Sequence, residues 1–257
     1  IKRAEYFRNV FDPQTKFARP RRIDGSWLDP FDPLKRDAWY AEGNAWQYTW
    51  FVPHDVAGLI QLMGQDDFNQ RLTQGFELAQ PKKFFHPLYV NVGNQPNMQA
   101  PWLFNYSGKP WLTQKWSRLM LDEYFGMGPV DGYPGDEDQG QMGGWFVMTA
   151  MGLFQTNGGC SVKPVYEVGS PLFDRIVIHL DPKYYSGGTF TIEARNNSSK
   201  NVYIQSATLD GKPLNKPRFF ATDLQDGGTL VLDMGPTPNK TWGNQPKDAP
   251  PSMTNTP

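Results

Sequence analysis

Near Gly158 the spacing of apolar residues changes from three-to-four to two, and that change limits the folds open to this chain. Upstream, helical spacing runs through Lys2–Phe11, Asn44–Val52 with a continuation over Val56–Leu62, Phe68–Leu78, Pro96–Phe104, Trp111–Tyr124 and Gly140–Gly152. Downstream, Asp174–Leu180, Thr189–Ala194, Val202–Leu209 and Thr229–Met234 alternate as strands do, with turns at Asp210-Gly-Lys-Pro213 and Gln225-Asp-Gly-Gly228. Helices followed by antiparallel strands predict an α+β fold. The expected division is a helical part over 1–157, an antiparallel β segment over 158–235 and a proline-rich extended tail over 236–257. The opening residues read as the middle of a helical pattern, so the expectation is the C-terminal part of a longer protein, with unsatisfied apolar helix faces when alone.

Charge and cysteine content narrow the function classes. With 25 basic and 26 acidic side chains and no basic run, the sequence lacks the footprint of a nucleic-acid partner. Its apolar stretches are too short for a membrane span. A lone Cys160 excludes an intrachain disulfide and argues against a thiolate zinc site. Nine Trp, 11 Tyr and 17 Phe suit either a tryptophan-rich core or a neutral ligand whose C–H faces pack on rings, as a sugar's do. There is no Gly-x-Ser-x-Gly elbow and no glycine-rich phosphate loop, and no histidine lies near Cys160.

Two segments carry unusual chemistry. Tyr133-Pro-Gly-Asp-Glu-Asp-Gln-Gly-Gln-Met142 crowds Asp136, Glu137 and Asp138 against glycines at the mouth of a helix. An acidic helix cap reads this way, and so does a site whose carboxylates are held ionised by free N–H groups, as a general base requires. Position alone leaves open which aspartate touches water and which supports the other. Tyr40-Ala-Glu-Gly-Asn-Ala-Trp-Gln-Tyr-Thr-Trp-Phe-Val-Pro-His-Asp55 sets one acid, Glu42, among aromatics including Trp46. An aromatic wall would desolvate Glu42 and suit it to general-acid work, whereas a solvent-facing helix-start carboxylate is the plainer reading. His54 and Asp55 form an orienting pair, contact a sugar hydroxyl, or are a histidine satisfied by a carboxylate. In Asn94-Gln95-Pro96 the amide oxygens suit calcium better than zinc or copper, or they cap a polar loop. His86 and His179 show no metal spacing.

Together with Tyr6-Phe-Arg-Asn-Val-Phe-Asp-Pro-Gln-Thr-Lys-Phe17 and Val92-Gly-Asn-Gln-Pro96, these segments resemble glycoside hydrolase family 92, the calcium-dependent exo-acting α-mannosidases. The resemblance implies the later helices of an (α/α)6 barrel followed by a C-terminal antiparallel β segment, in a protein whose N-terminal portion is missing here. It implies inversion, with Glu42 as acid, Asp138 as base, Asp136 assisting, and the carboxyl groups about 6.5–9.5 Å apart. It places Ca2+ on Asn94, Gln95 and Asp138, against the 2- and 3-hydroxyls of mannose. Trp46, His54, Asp55 and Asn91 are the expected substrate contacts, a mannose-containing glycan the partner, and the periplasm or the exterior the location.

Two departures from the family pattern matter. Gly93-Asn-Gln-Pro-Asn-Met-Gln99 stands where many relatives have Gly-Asn-Glu-Pro-Ser-His-His, so a charged ligand becomes neutral Gln95. Val90-Asn91 replaces a His-Glu pair used on α-1,2 links, which argues against strict α-1,2 specificity. The rival readings are an inverting hydrolase of another sugar on a similar toroid and a non-catalytic carbohydrate-binding protein.

Overall fold

The computed structural model describes residues 2–79 and 88–255. His86 lies outside the described residues. The described chain forms two compact units, one from Ile1–Ala100, Pro134–Asp136 and Ser252–Pro257, the other from Pro101–Tyr133 and Glu137–Pro251.

The first unit opens with a 3-10 helix, Lys2–Val10, where the sequence pattern predicts an α-helix. It continues into the short antiparallel pair β1 (Phe11–Asp12) and β2 (Phe17–Ala18). Helices α1 (Ala45–Tyr48), α2 (Val56–Met63) and α3 (Gln65–Leu78) follow. The helix expected over Asn44–Val52 stops after one turn, at Tyr48. Its core gathers Phe17, Ala45 and Trp46 with Phe31, Leu34, Tyr40 and Tyr89 packed around them. Trp50 and Phe68, both fully buried, meet edge to face at 5.5 Å. The helix expected over Pro96–Phe104 is instead two 3-10 turns, Gln95–Asn97 and Ala100–Asn105, as Pro96 and Pro101 withhold N–H groups from a regular ladder.

The second unit holds α4 (Pro110–Tyr124), α5 (Gln141–Ala150) and the strands β3 (Leu153–Phe154), β4 (Val165–Val168), β5 (Arg175–His179), β6 (Thr189–Arg195), β7 (Tyr203–Leu209), β8 (Lys212–Pro213) and β9 (Arg218–Phe220). The short helix α6 (Ala221–Gln225) and β10 (Gly228–Gly235) complete it. One sheet has the order β5-β6-β10-β7-β8 and the other β3-β4-β9. Pairing is antiparallel except between β10 and β6, which run parallel. Alternation decides the faces: Phe190, Ile192 and Ala194 of β6 and Leu230, Leu232 and Met234 of β10 point into one core with Ile204 and Phe219. A register shift at Asp233/Met234 moves the pairing from Leu232↔Ala207 to Met234↔Ile204, so both rows stay buried.

The compact units divide after Ala100, while the boundary expected at 157 marks the change from helices to the longer strands. Helices α4 and α5 belong with the strands because α4 packs on α5 and β7 and its Gln114 Oε1 accepts the Ile204 N–H at 3.0 Å. The tail is anchored at two points in the second unit. Trp242 is buried and its Nε1 donates to the Leu214 carbonyl at 2.8 Å, while Arg218 Nε donates to Ala249 O at 2.9 Å.

Candidate active site

In the first unit, Glu42 sits in the turn leading into α1, with its side chain exposed. Its φ of 57° is left-handed, a conformation that costs a non-glycine residue about 1–2 kcal/mol. Neighbours pin that turn. The Glu42 carbonyl accepts from Arg36 and, at 3.5 Å, from Asn94 Nδ2, and the Tyr48 hydroxyl donates to Ala41 O. Asn44 caps α1 by accepting the Gln47 N–H at 3.1 Å while its Nδ2 donates to Leu88 O at 2.8 Å. Burial, then the nearby Glu42 carboxylate, raise the Tyr48 phenol above its ordinary pKa.

The loop bearing Asn91, Asn94 and Gln95 is sewn to α1 by two buried amides. Asn97 Nδ2 donates to Gln47 O at 2.7 Å, and Gln99 Nε2 to Trp50 O at 3.1 Å. Asn91 Oδ1 accepts from Gly93 N at 3.0 Å and Asn94 Oδ1 from Gln95 N at 2.9 Å, so both amides order the loop itself. Gly93 and Gly135 lie backbone to backbone: a Cβ on Gly135 would fall 2.1 Å from Gly93 O, and one on Gly93 would fall 2.5 Å from Pro134 O. Only glycine permits that approach. It sets the segment ending in exposed Asp136 against the Asn94 loop, whose Asn94 reaches the Glu42 turn.

Three expected substrate contacts are placed elsewhere. Trp46 is buried edge-on to Phe17 (5.3 Å) and Tyr89 (5.1 Å), so it builds core and does not desolvate the exposed Glu42. His54 Nε2 lies 2.9 Å from Ala4 O, and its ring stands edge-on to Phe7. Asp55, 0% exposed, accepts from Gly58 N, Ser252 Oγ, Thr254 N, Thr254 Oγ1 and Arg8. Burial alone would raise its pKa, but those hydrogen bonds hold the carboxyl below the usual range. Asp55 is thus the cap of α2 and the tether of the C-terminal turn, and its oxygens are committed.

In the second unit, the other two acids of the sequence motif, Glu137 and Asp138, divide their work. Glu137 caps α5, its carboxylate accepting from the N–H groups of Gly140 and Gly143. Asp138 is exposed and left-handed, with φ of 52°, and Gln139 and Gly140 follow at 63° and 94°. A buried acid also escaped the sequence reading. Glu167 on β4 is 1% exposed and accepts from Tyr106 OH (3.0 Å), Thr156 N (3.2 Å) and Asn105 Nδ2 (3.3 Å). Nothing in Val165-Tyr-Glu-Val168 distinguishes it from a solvent-facing strand residue.

Residues 1–236 match the glycosyl hydrolase family 92 catalytic domain. The chain belongs to this family. It is 32% identical over 252 residues to an uncharacterized secreted glycosidase of Arthroderma benhamiae, covering 92% of this chain and 30% of that protein. A family GH92 inverting mannosidase of Bacteroides thetaiotaomicron superposes with a TM-score of 0.86 at 33% identity, over 99% of this chain and 36% of its own. A second α-mannosidase of that organism, in complex with mannoimidazole, gives 0.88 at 29% identity, over 98% and 34%. The chain spans about a third of the length of these family 92 relatives. The α+β expectation holds, in a chain of family 92 whose longer strands follow helices α1–α5.

The expected calcium ligands can be weighed by donor chemistry. Asn94, Gln95 and Asp138 offer hard oxygens and no imidazole or thiolate, which fits calcium. Charge is sparse, with one carboxylate in that set, and among the described residues no three His, Cys, Asp or Glu side chains converge. Asn94 Oδ1 already accepts one N–H, leaving one lone pair. The donors fit in kind and predict weak retention.

No described helix is long and apolar enough to cross a membrane.

Proposed function

We propose that the complete protein is an exo-acting α-mannosidase that hydrolyses terminal α-mannosides of N-glycans or mannan with inversion. The carrying observation is that the two residues assigned acid and base, Glu42 and Asp138, are both exposed carboxylates on left-handed backbone, in a chain of family 92. Strain of that kind persists where surrounding structure over-determines it, as sites of chemistry require.

Glu42, as the neutral acid, gives its proton to the glycosidic oxygen as the bond to the anomeric carbon breaks. Asp138, ionised, takes a proton from the water that attacks that carbon from the opposite face, with Asp136 holding the water or the base in line. The products are β-mannose and the shortened glycan. Exchange with solvent then restores both carboxyl groups. Calcium, held by oxygens among Asn94, Gln95 and Asp138, would supply positive charge to the sugar hydroxyls. Of the expected sugar contacts, Asn91 remains in the proposal. It stands where an α-1,2-specific relative would carry charge, which favours α-1,3, α-1,4 or α-1,6 links. Export to the periplasm or exterior accords with the secreted relative.

Substitution separates the roles. Glu42→Gln should reduce kcat on natural mannosides by about 10²–10⁴-fold while sparing activated aryl mannosides, whose leaving groups need no proton. Asp138→Asn should reduce both alike. Equal losses on both substrates in Glu42→Gln would remove Glu42 as the acid.

A further inference from the structure

The middle acid of the motif, Glu137, has no part in the chemistry above, yet its bonding sets the geometry of the residue that does. At the start of α5 it accepts four N–H groups by itself. Its backbone carbonyl accepts from Gln141 and Met142, each at 3.1 Å. Its carboxylate accepts from Gly140 through Oε2 and from Gly143 through Oε1 at 3.1 Å. The regular ladder begins only afterwards, with Gly144 N on Gly140 O at 2.8 Å. The leading N–H groups of a helix are ordinarily shared among a cap, water and neighbouring loops. Here one residue takes them, and Glu137 is thereby fixed at both its backbone and its side chain.

The residues between this anchor and the helix must span a short gap. Asp138, Gln139 and Gly140 do so with three successive left-handed conformations, φ 52°, 63° and 94°, of which only the last is on glycine. Aspartate tolerates this backbone better than most residues, but Gln139 has no such preference, and the closure around the pair holds both in it.

We propose that Glu137 is a positioning residue: by holding the first turn of α5 it fixes the left-handed turn that presents Asp138. This rests on the reading of Asp138 as base. Glu137 touches no reacting atom in this assignment, and the effect of losing it is displacement of Asp138. A displacement on the order of 1 Å lowers turnover about 10²-fold with binding largely kept.

The test uses four variants of the complete protein, with kcat, KM and thermal midpoint measured on one mannoside. Glu137→Ala should lower kcat by about 10²-fold with KM within about threefold of the parent. Glu137→Gln keeps one acceptor and loses the other, so kcat should fall less than in Glu137→Ala, again with KM nearly kept. Gly143→Ala separates positioning from folding. Its Cβ would lie 3.2 Å from Glu137 Oε1 and press on the carboxylate, while alanine inside a helix favours folding. The expected result is a several-fold lower kcat with the thermal midpoint unchanged or raised.

Asp138→Asn is the fourth variant. If it is inactive and the Glu137 and Gly143 variants behave as stated, the proposal stands. If it is inactive while Glu137→Ala keeps kcat and KM within about twofold of the parent, or loses activity only in proportion to unfolded protein, positioning by Glu137 is overturned alone. If Asp138→Asn is active, the base assignment falls and the proposal with it.

Discussion

At the scale of single residues, Glu167 shows how exclusion of water competes with hydrogen bonding. Burial pushes its carboxyl up to about 7 even though Thr156, Asn105 and Tyr106 donate to it. Unfolded, the group would titrate at its ordinary 4.5. A carboxyl raised by folding contributes stability that is fully present below the unfolded value and lost as pH rises through the folded one. A shift of this size corresponds to about 3 kcal/mol. The parent's thermal midpoint should therefore fall between about pH 5 and pH 8 relative to Glu167→Gln, which cannot ionise. Parallel curves for the two proteins would show that Glu167 does not titrate there. The sequence singles out Glu42, Asp136 and Asp138 by the glycines and aromatics that cluster around them. It did not show that Trp46 and Asp55 are buried, because a dense aromatic and polar segment looks the same whether its side chains turn to a ligand or to the core. Which way they turn depends on residues such as Phe17, Tyr89, Ser252 and Thr254, distant in sequence.

At the scale of elements, one carboxylate joins the start of α2 to the C-terminal turn. Asp55 accepts the Gly58 N–H as a helix cap and receives Ser252, Thr254 and Arg8. Asp55→Ala leaves those donors unpaired, one of them on the buried Ser252, and should destabilise the fold by about 2–4 kcal/mol. Thermal or urea unfolding of the variant measures this, and a loss below about 0.5 kcal/mol, as at an ordinary surface site, would deny Asp55 that role. Apolar spacing located α3, α4, α5 and the four long strands to within a few residues. It did not separate α from 3-10 geometry at Lys2–Val10 or Ala100–Asn105, since short apolar runs satisfy either period. The parallel pairing of β10 with β6 was equally hidden, because alternation names the buried face of a strand and not its neighbour.

At the scale of the whole molecule, the compact units do not follow the change in apolar spacing. Helix α4 buries nine of its 15 residues, among them Gln114 and Arg118, and such a helix is claimed by strands as readily as by helices. Arg118 shows the same allegiance, donating to Ser170, Pro171 and Asn197. The segment carrying the three acids crosses from one unit to the other between Asp136 and Glu137, so the motif is continuous in sequence and divided in structure. The central claim, inverting hydrolysis of α-mannosides, belongs to the complete protein. Its most direct test is proton NMR of the mannose released from α-1,2-, α-1,3-, α-1,4- and α-1,6-mannobiose, with calcium present and then chelated. The expected first product is β-mannose, from links other than α-1,2, at a rate that chelation lowers and calcium restores. Release of α-mannose, or of no mannose from any of the four, would contradict it.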